Sequence, residues 1–296
     1  MLIEKRLPLR YVIRKVGRET LIVLTIAIAV ELIIRNQRGF LPEISIAIPT
    51  FLGTAITLLL SFRINQSYDR WWEARKIWGA IVNDSRTLVR QILSFVREPT
   101  PLLGRMTHRQ IAWCYSLGQS LRGVDWTEGT ERHLRAEDAA DAEMHANKPL
   151  ALVQQQARDL AVLARDGAVS DYQRIAVDDT LTRLVDSMGR AERIRSTVFP
   201  TTYRIFLYGF IYLFITILSI ALGEIEGAWQ VLVTTVISIP FFLLEKTARH
   251  MQDPFSGRPT DTAVTSIART IEINLLQLLG ETDTPPPLEP DGFYLR

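Results

Sequence analysis

The sequence predicts an all-α membrane protein, with four transmembrane helices joined to a helical cytoplasmic region. Three observations carry this. The run Ile44–Phe62, ISIAIPTFLGTAITLLLSF, holds no charge and is close to the roughly 20 residues that a bilayer-spanning helix requires. Apolar residues gather in two blocks, about 21–62 and 205–244, with the charges between and after them. Between the blocks, Ile77, Ile81, Leu88, Ile92 and Phe95 recur at helical spacing, the stripe of a packed amphipathic helix.

Composition sets outer limits. A mean hydropathy just above zero excludes a highly disordered chain without itself requiring a membrane. A formal net charge of +2, with arginines spread among acids, gives no sign of a nucleic-acid partner. The single cysteine, Cys114, excludes an internal disulfide.

Residues 1–62 hold an N-terminal arm and spans one and two. The arm carries Lys5, Arg6, Arg10, Arg14, Lys15 and Arg18, and no small-residue cleavage site follows, so it does not read as a cleavable signal. Span one, about Leu21–Ile34, is short and has Glu31 near its end. Span two is Ile44–Phe62, with Pro49 inside it. Residues 205–244 hold span three, about Ile205–Leu222, and span four, about Ala228–Leu244, with Pro240 near its end. Basic residues set the orientation. Arg63, Arg70, Arg75 and Lys76 follow span two, Lys246 and Arg249 follow span four, and the loop Gly223–Gly227 has none. Both termini and the middle region are expected in the cytoplasm. Arg35 and Arg38, in the first external loop, run against this.

Residues 63–204 read as the cytoplasmic region. Tyr68, Trp71 and Trp72, with Trp78, are expected to anchor the end of span two at the bilayer interface, where their rings meet apolar and polar surroundings together. A break falls at Arg97–Gly104, and residues 127–149 read as a loop or irregular helix. A helix from about Pro149 to Arg165 stops at Asp166-Gly167. The next starts behind Ser170-Asp171. Its core stripe is Val177, Leu181, Leu184, Met188 and Ala191. On another face Asp171, Ile175, Asp179, Thr182 and Asp186 lie together, polar except for Ile175. That face is either a solvated surface with one isoleucine or the wall of a water-filled vestibule. Residues 245–296 form the cytoplasmic C-terminal region. Its tail, TDTPPPLEPDGFYLR, cannot be helical through its prolines and is expected to be disordered or laid on a neighbouring subunit.

No enzyme signature is present. His108, His133, His145 and His250 lack metal-ligand spacing, and there is no phosphate loop or G-x-S-x-G. Glu137, Asp138, Asp141 and Glu143 read as a solvated face. No catalytic residue, metal or cofactor is expected.

Three stretches together resemble the bacterial branch of the bestrophin family of ion channels: SFRINQSYDRWWEARKIWG (Ser61–Gly79), AERIRSTVFPTTYRIFLYGFIYLF (Ala191–Phe214) and DPFSGRPTDTAVTSIARTIEINLLQLLG (Asp253–Gly280). The resemblance implies a homopentamer in the bacterial inner membrane, with one axial pore lined by span two and narrowed twice. The upper constriction, a neck of three apolar residues around the proline of span two, falls here on Ile48, Leu52 and Ile56. Their four-residue spacing allows one gently drifting face, although lipid-facing or packing residues would show the same spacing. The lower constriction, an aperture, falls on Ile175. Animal members build a calcium clasp on a run of acids after a DPF-like motif. Here only Asp253 and Asp261 stand near Ser256–Val264, too few carboxylates for such a site, and calcium-independent gating is expected.

An apolar ring can gate by dewetting. In a fivefold assembly Asp171, Asp179 and Asp186 would stack acidic rings, and Glu224 and Glu226 would add charge at the outer entrance. That pattern favours small monovalent cations such as sodium and potassium. Arg174, Arg183 and Arg190 flank the same stripe, so a chloride channel of the same architecture is the alternative. A transporter would need paired broken helices around a midplane site, and a membrane-anchored scaffold or receptor would need no pore. The expected partners are other copies of the chain, membrane lipid and the permeating ions.

Overall fold

The computed structural model describes residues 9–37, 41–197, 200–225 and 227–295. Among these residues are nine helices: α1 (Leu9–Asn36), α2 (Ala47–Phe95), α3 (Pro101–Arg122), α4 (Ala136–Glu143), α5 (Lys148–Arg165), α6 (Asp171–Ser196), α7 (Thr201–Ala221), α8 (Ala228–Gln252) and α9 (Val264–Leu279). The chain divides into two units. A membrane unit takes Glu4–Arg70 and Val198–Gln252, and a helical unit takes Met1–Ile3, Trp71–Thr197 and Asp253–Arg296. α2 and α8 continue past the ends of their apolar runs at 62 and 244.

In the membrane unit, α2, α7 and α8 are long and apolar enough to cross a bilayer. α1 does not meet that measure, yet it runs antiparallel along the whole of α8. Lys15 Nζ donates to Thr247 Oγ1 (3.2 Å) at one end, and the Gly227 N–H donates to the Glu31 carboxylate (3.1 Å) at the other. α8 is inverted relative to a soluble amphipathic helix. It buries Gln230, Thr234, Thr235, Ser238 and Glu245 and exposes Trp229, Leu232, Val236, Ile237 and Leu244. Lipid rewards this arrangement, since polar groups must find partners inside the protein. Gln230 Nε2 donates to the carbonyl and hydroxyl oxygens of Ser219, both at 2.7 Å, and the Thr235 and Ser238 hydroxyls donate to carbonyls of the preceding turn. Pro49 lies in the first turn of α2, where no helical N–H bond is lost, so it is not an interruption of the span.

In the helical unit, Ile77, Ile81, Leu88 and Ile92 are buried with Trp78 and Trp113, as are Val177, Leu181, Leu184, Met188 and Ala191 of α6. Local chemistry sets the helix ends. Thr100 caps α3 by accepting from the Leu102 N–H. A reciprocal Ser170–Gln173 capping box starts α6. α5 ends before Gly167 at φ 72°. α3 is buried along most of its length against α5, α6 and α9. The polar stretch 127–149 contains α4, and one of its acids departs from expectation. Asp138 is buried, because the inward-facing guanidinium of Arg109 takes it at 2.9 Å and Asp159 at 2.5 Å. The tail is extended, and Arg269 Nη1 of the same chain donates to the Pro286 carbonyl (3.2 Å).

Candidate functional site

The three expected neck residues do not share an accessible face. Ile48 is 49% exposed, Leu52 is partly buried against the membrane-unit core, and Ile56 is 1% exposed. Each four-residue step advances a helix by about 40°, so the triad swings by about 80° from rim to interior. Ile56 belongs to the core with Leu207, Ile211 and Phe242. The open face of α2 instead centres on Phe51 (73% exposed) and Leu58 (58%) and extends to Phe62. Thr50, Thr54, Thr57 and Ser61 are interleaved and exposed. The three threonine hydroxyls are bonded to the carbonyls of Ile46, Thr50 and Gly53 at 2.8, 2.9 and 2.8 Å. By contrast, the large side chains that α7 exposes are Ile205, Phe206, Phe210 and Leu213.

On α6, Ile175 is 58% exposed, and Asp171, Asp179, Thr182 and Asp186 are exposed with it. Asp178 is a further exposed acid about 60° around the helix from Ile175. Following steps of four from Asp171 passes over it, although its three-residue distance from Ile175 was a usable signal. Gln91 of α2 holds the turn behind Ile175, donating to the Ala176 carbonyl (3.2 Å) and accepting from the Thr180 hydroxyl (2.8 Å). Two of the flanking arginines are engaged. Arg183 Nε donates to Asp84 Oδ1 (2.9 Å), and Arg190 donates to the Ser187 hydroxyl (3.1 Å).

Glu224 is exposed and lines a groove of about 700 Å3 together with Glu43, which the sequence reading did not single out. Glu226 lies outside the described residues, as do Lys5, Arg6 and Arg38. Tyr68 and Trp72 are exposed. Trp71 is partly buried and donates its indole N–H to the Thr260 carbonyl (2.9 Å), tying α2 to the loop before α9. Trp78 is core.

A buried charge pair escaped the sequence reading. Arg63 and Glu245 meet inside the membrane unit, and Tyr208 donates to the second Glu245 oxygen (2.7 Å). Each stands at the end of an apolar run, where flanking charges are ordinary, so nothing marked them as partners. Of the two acids near the expected clasp position, Asp253 is exposed and Asp261 is buried. Burial pushes the Asp261 carboxyl up to about 6, against the opposing effect of the Arg258 N–H bond. Among the described residues no group of three or more His, Cys, Asp or Glu could hold a metal ion.

The sequence profile of the Bacterial/Fungal Bestrophin protein family matches residues 9–277. The chain is 31% identical over 248 residues to the voltage-dependent anion channel-forming protein YneE of Escherichia coli K12, covering 83% of this chain and 80% of that one. A similarly named protein of Mesorhizobium japonicum is 30% identical over 244 residues, covering 82% and 78%. The crystal structure of a bacterial bestrophin homologue from Klebsiella pneumoniae matches with a TM-score of 0.84 at 27% identity, covering 90% of this chain and 99% of that one. The all-helical fold, the inverted membrane helices and these matches agree: the chain is not an enzyme but a membrane protein of the bacterial and fungal bestrophin family of ion channels.

Proposed function

We propose that the chain forms a homopentameric channel for small monovalent ions with a preference for cations. The observation that carries the preference is the open face of α6. Asp171, Asp178, Asp179 and Asp186 surround Ile175 there, while Arg183 and Arg190 are held by other side chains. Repeated around a symmetry axis, such a face gives carboxylate rings with Ile175 as a narrow apolar aperture. Glu224 and Glu43 would add negative potential at the outer mouth.

The upper gate in this proposal is a dewetting ring on the open face of α2, built on Phe51 and Leu58, with Ile48 at its margin and Leu52 behind it. Four spans fit best, because α1 accompanies α8 from end to end. An even number places both termini on one side, and the basic flanks assign that side to the cytoplasm of the bacterial inner membrane. Gating would be independent of calcium, since Asp261 is buried and hydrogen-bonded to its own loop.

A second reading, an anion pore, is favoured by the names of the relatives, which are called anion channel-forming proteins. Reversal potentials of the purified protein in asymmetric NaCl separate the two. A reversal near the sodium equilibrium potential is expected, and one near the chloride equilibrium potential would establish the anion reading. Liposomes without ion flux would leave a scaffold.

A further inference from the structure

The helical unit contains a pocket of about 400 Å3 between the first turns of α3 and the segment 132–135. Arg105, His108, Arg132, His133 and Arg135 line it, and no carboxylate does. The acids that balance these cations are outside the pocket lining. Asp159 takes Arg105, Glu137 and Asp138 take Arg135, Glu281 faces His108, and Glu272 faces His133. Arg132 is exposed and has no ion pair among the described residues.

The two histidines form the inner wall of the pocket. Their rings stack with centroids 5.3 Å apart, and the Nδ1 atoms are 3.0 Å apart. His133 Nε2 lies 3.0 Å from Glu272 Oε1, and His108 Nε2 lies 3.2 Å from Glu281 Oε1. Burial raises the Glu272 carboxyl, but hydrogen bonds from His133 and Tyr115 and the nearby Arg269 outweigh it and hold the group below its ordinary value. With their ring nitrogens engaged in this way, the histidines leave the arginines as the pocket's free donors.

We propose that this pocket binds a small organic dianion of the phosphate-ester kind, anchored by the unpaired guanidinium of Arg132 with Arg105 and Arg135 beside it. The site is separate from the pore reading and does not depend on it. Among the described residues Arg132 has all its guanidinium donors available, and Arg105 and Arg135 each present the N–H groups that their acids leave over.

The test is isothermal titration of the full-length protein in detergent with propane-1,3-disulfonate, a dianion of fixed charge. One site per chain is expected, with affinity that falls as salt is raised. Arg132→Ala, on the surface, should weaken binding by about tenfold, the effect of losing one well-placed charge. Absence of binding in the unmodified protein, or unmodified affinity in Arg132→Ala, would each overturn the proposal.

Discussion

Arg63 Nη1 lies 3.3 Å from Glu245 Oε1 inside the membrane unit, with the two side chains 2% and 0% exposed. The pair joins α2 to α8, and its surroundings are built to hold it. The Arg63 guanidinium stands 5.8 Å from the centre of the Tyr203 ring, and Tyr208 occupies the other Glu245 oxygen. Removing one partner strands the other charge in a dry interior, which typically costs about 3–5 kcal/mol. Arg63→Ala and Glu245→Ala should each lower the unfolding midpoint in detergent sharply. The double replacement Arg63→Met/Glu245→Leu should recover most of the loss, because no charge is then left alone. Single variants with unchanged midpoints would show that the pair is not structural.

Ile56 and Leu58 are two residues apart and should behave as opposites. Ile56→Ala opens a cavity against Leu207 and Ile211 and should cost about 2–5 kcal/mol, leaving the conductance of surviving channels unchanged. Leu58→Ala, on the open face of α2, should cost little stability and raise conductance or open probability. Single-channel recording with thermal unfolding of both variants checks the pair. The reverse pattern would return the constriction to Ile56.

Asp261 makes stability depend on pH with a definite sign. Its carboxyl is raised from its ordinary value to about 6, so the folded state favours the protonated form. The stabilisation is complete below about pH 4 and is lost as the pH rises through about 6. Two units correspond to at most about 3 kcal/mol between pH 4 and pH 8. Asp261→Asn should flatten this part of the profile and make the variant the more stable protein at pH 8. Denaturant unfolding at both pH values measures it, and parallel profiles for the two proteins would exclude the effect.

What could be read from the sequence was local. Ser170 with Gln173 starts α6, Asp166-Gly167 ends α5, and the stripes through Ile77 and Val177 face the core, because each feature is set within one or two turns. What could not be read depended on distant partners. Counting polar residues as surface fails for α3, where Arg109 turns inward to acids 29 and 50 positions away. His108 and His133 looked scattered because their contact is made by a loop folding back on a helix. Spacing likewise places Ile48, Leu52 and Ile56 on one helix side, but the drift of about 40° per step leaves Ile48 exposed and Ile56 buried.

The inverted composition of α8 also bears on how the protein is made. Gln230, Thr234, Thr235, Ser238 and Glu245 each need a polar partner once α8 lies in lipid. The turn between α7 and α8 brings Gln230 onto the Ser219 carbonyl, so one costly group is satisfied as soon as the two helices form a hairpin. Glu245 then needs Arg63, which is synthesised long before it. Satisfying the buried acid of α8 is thereby tied to a residue made in the first quarter of the chain.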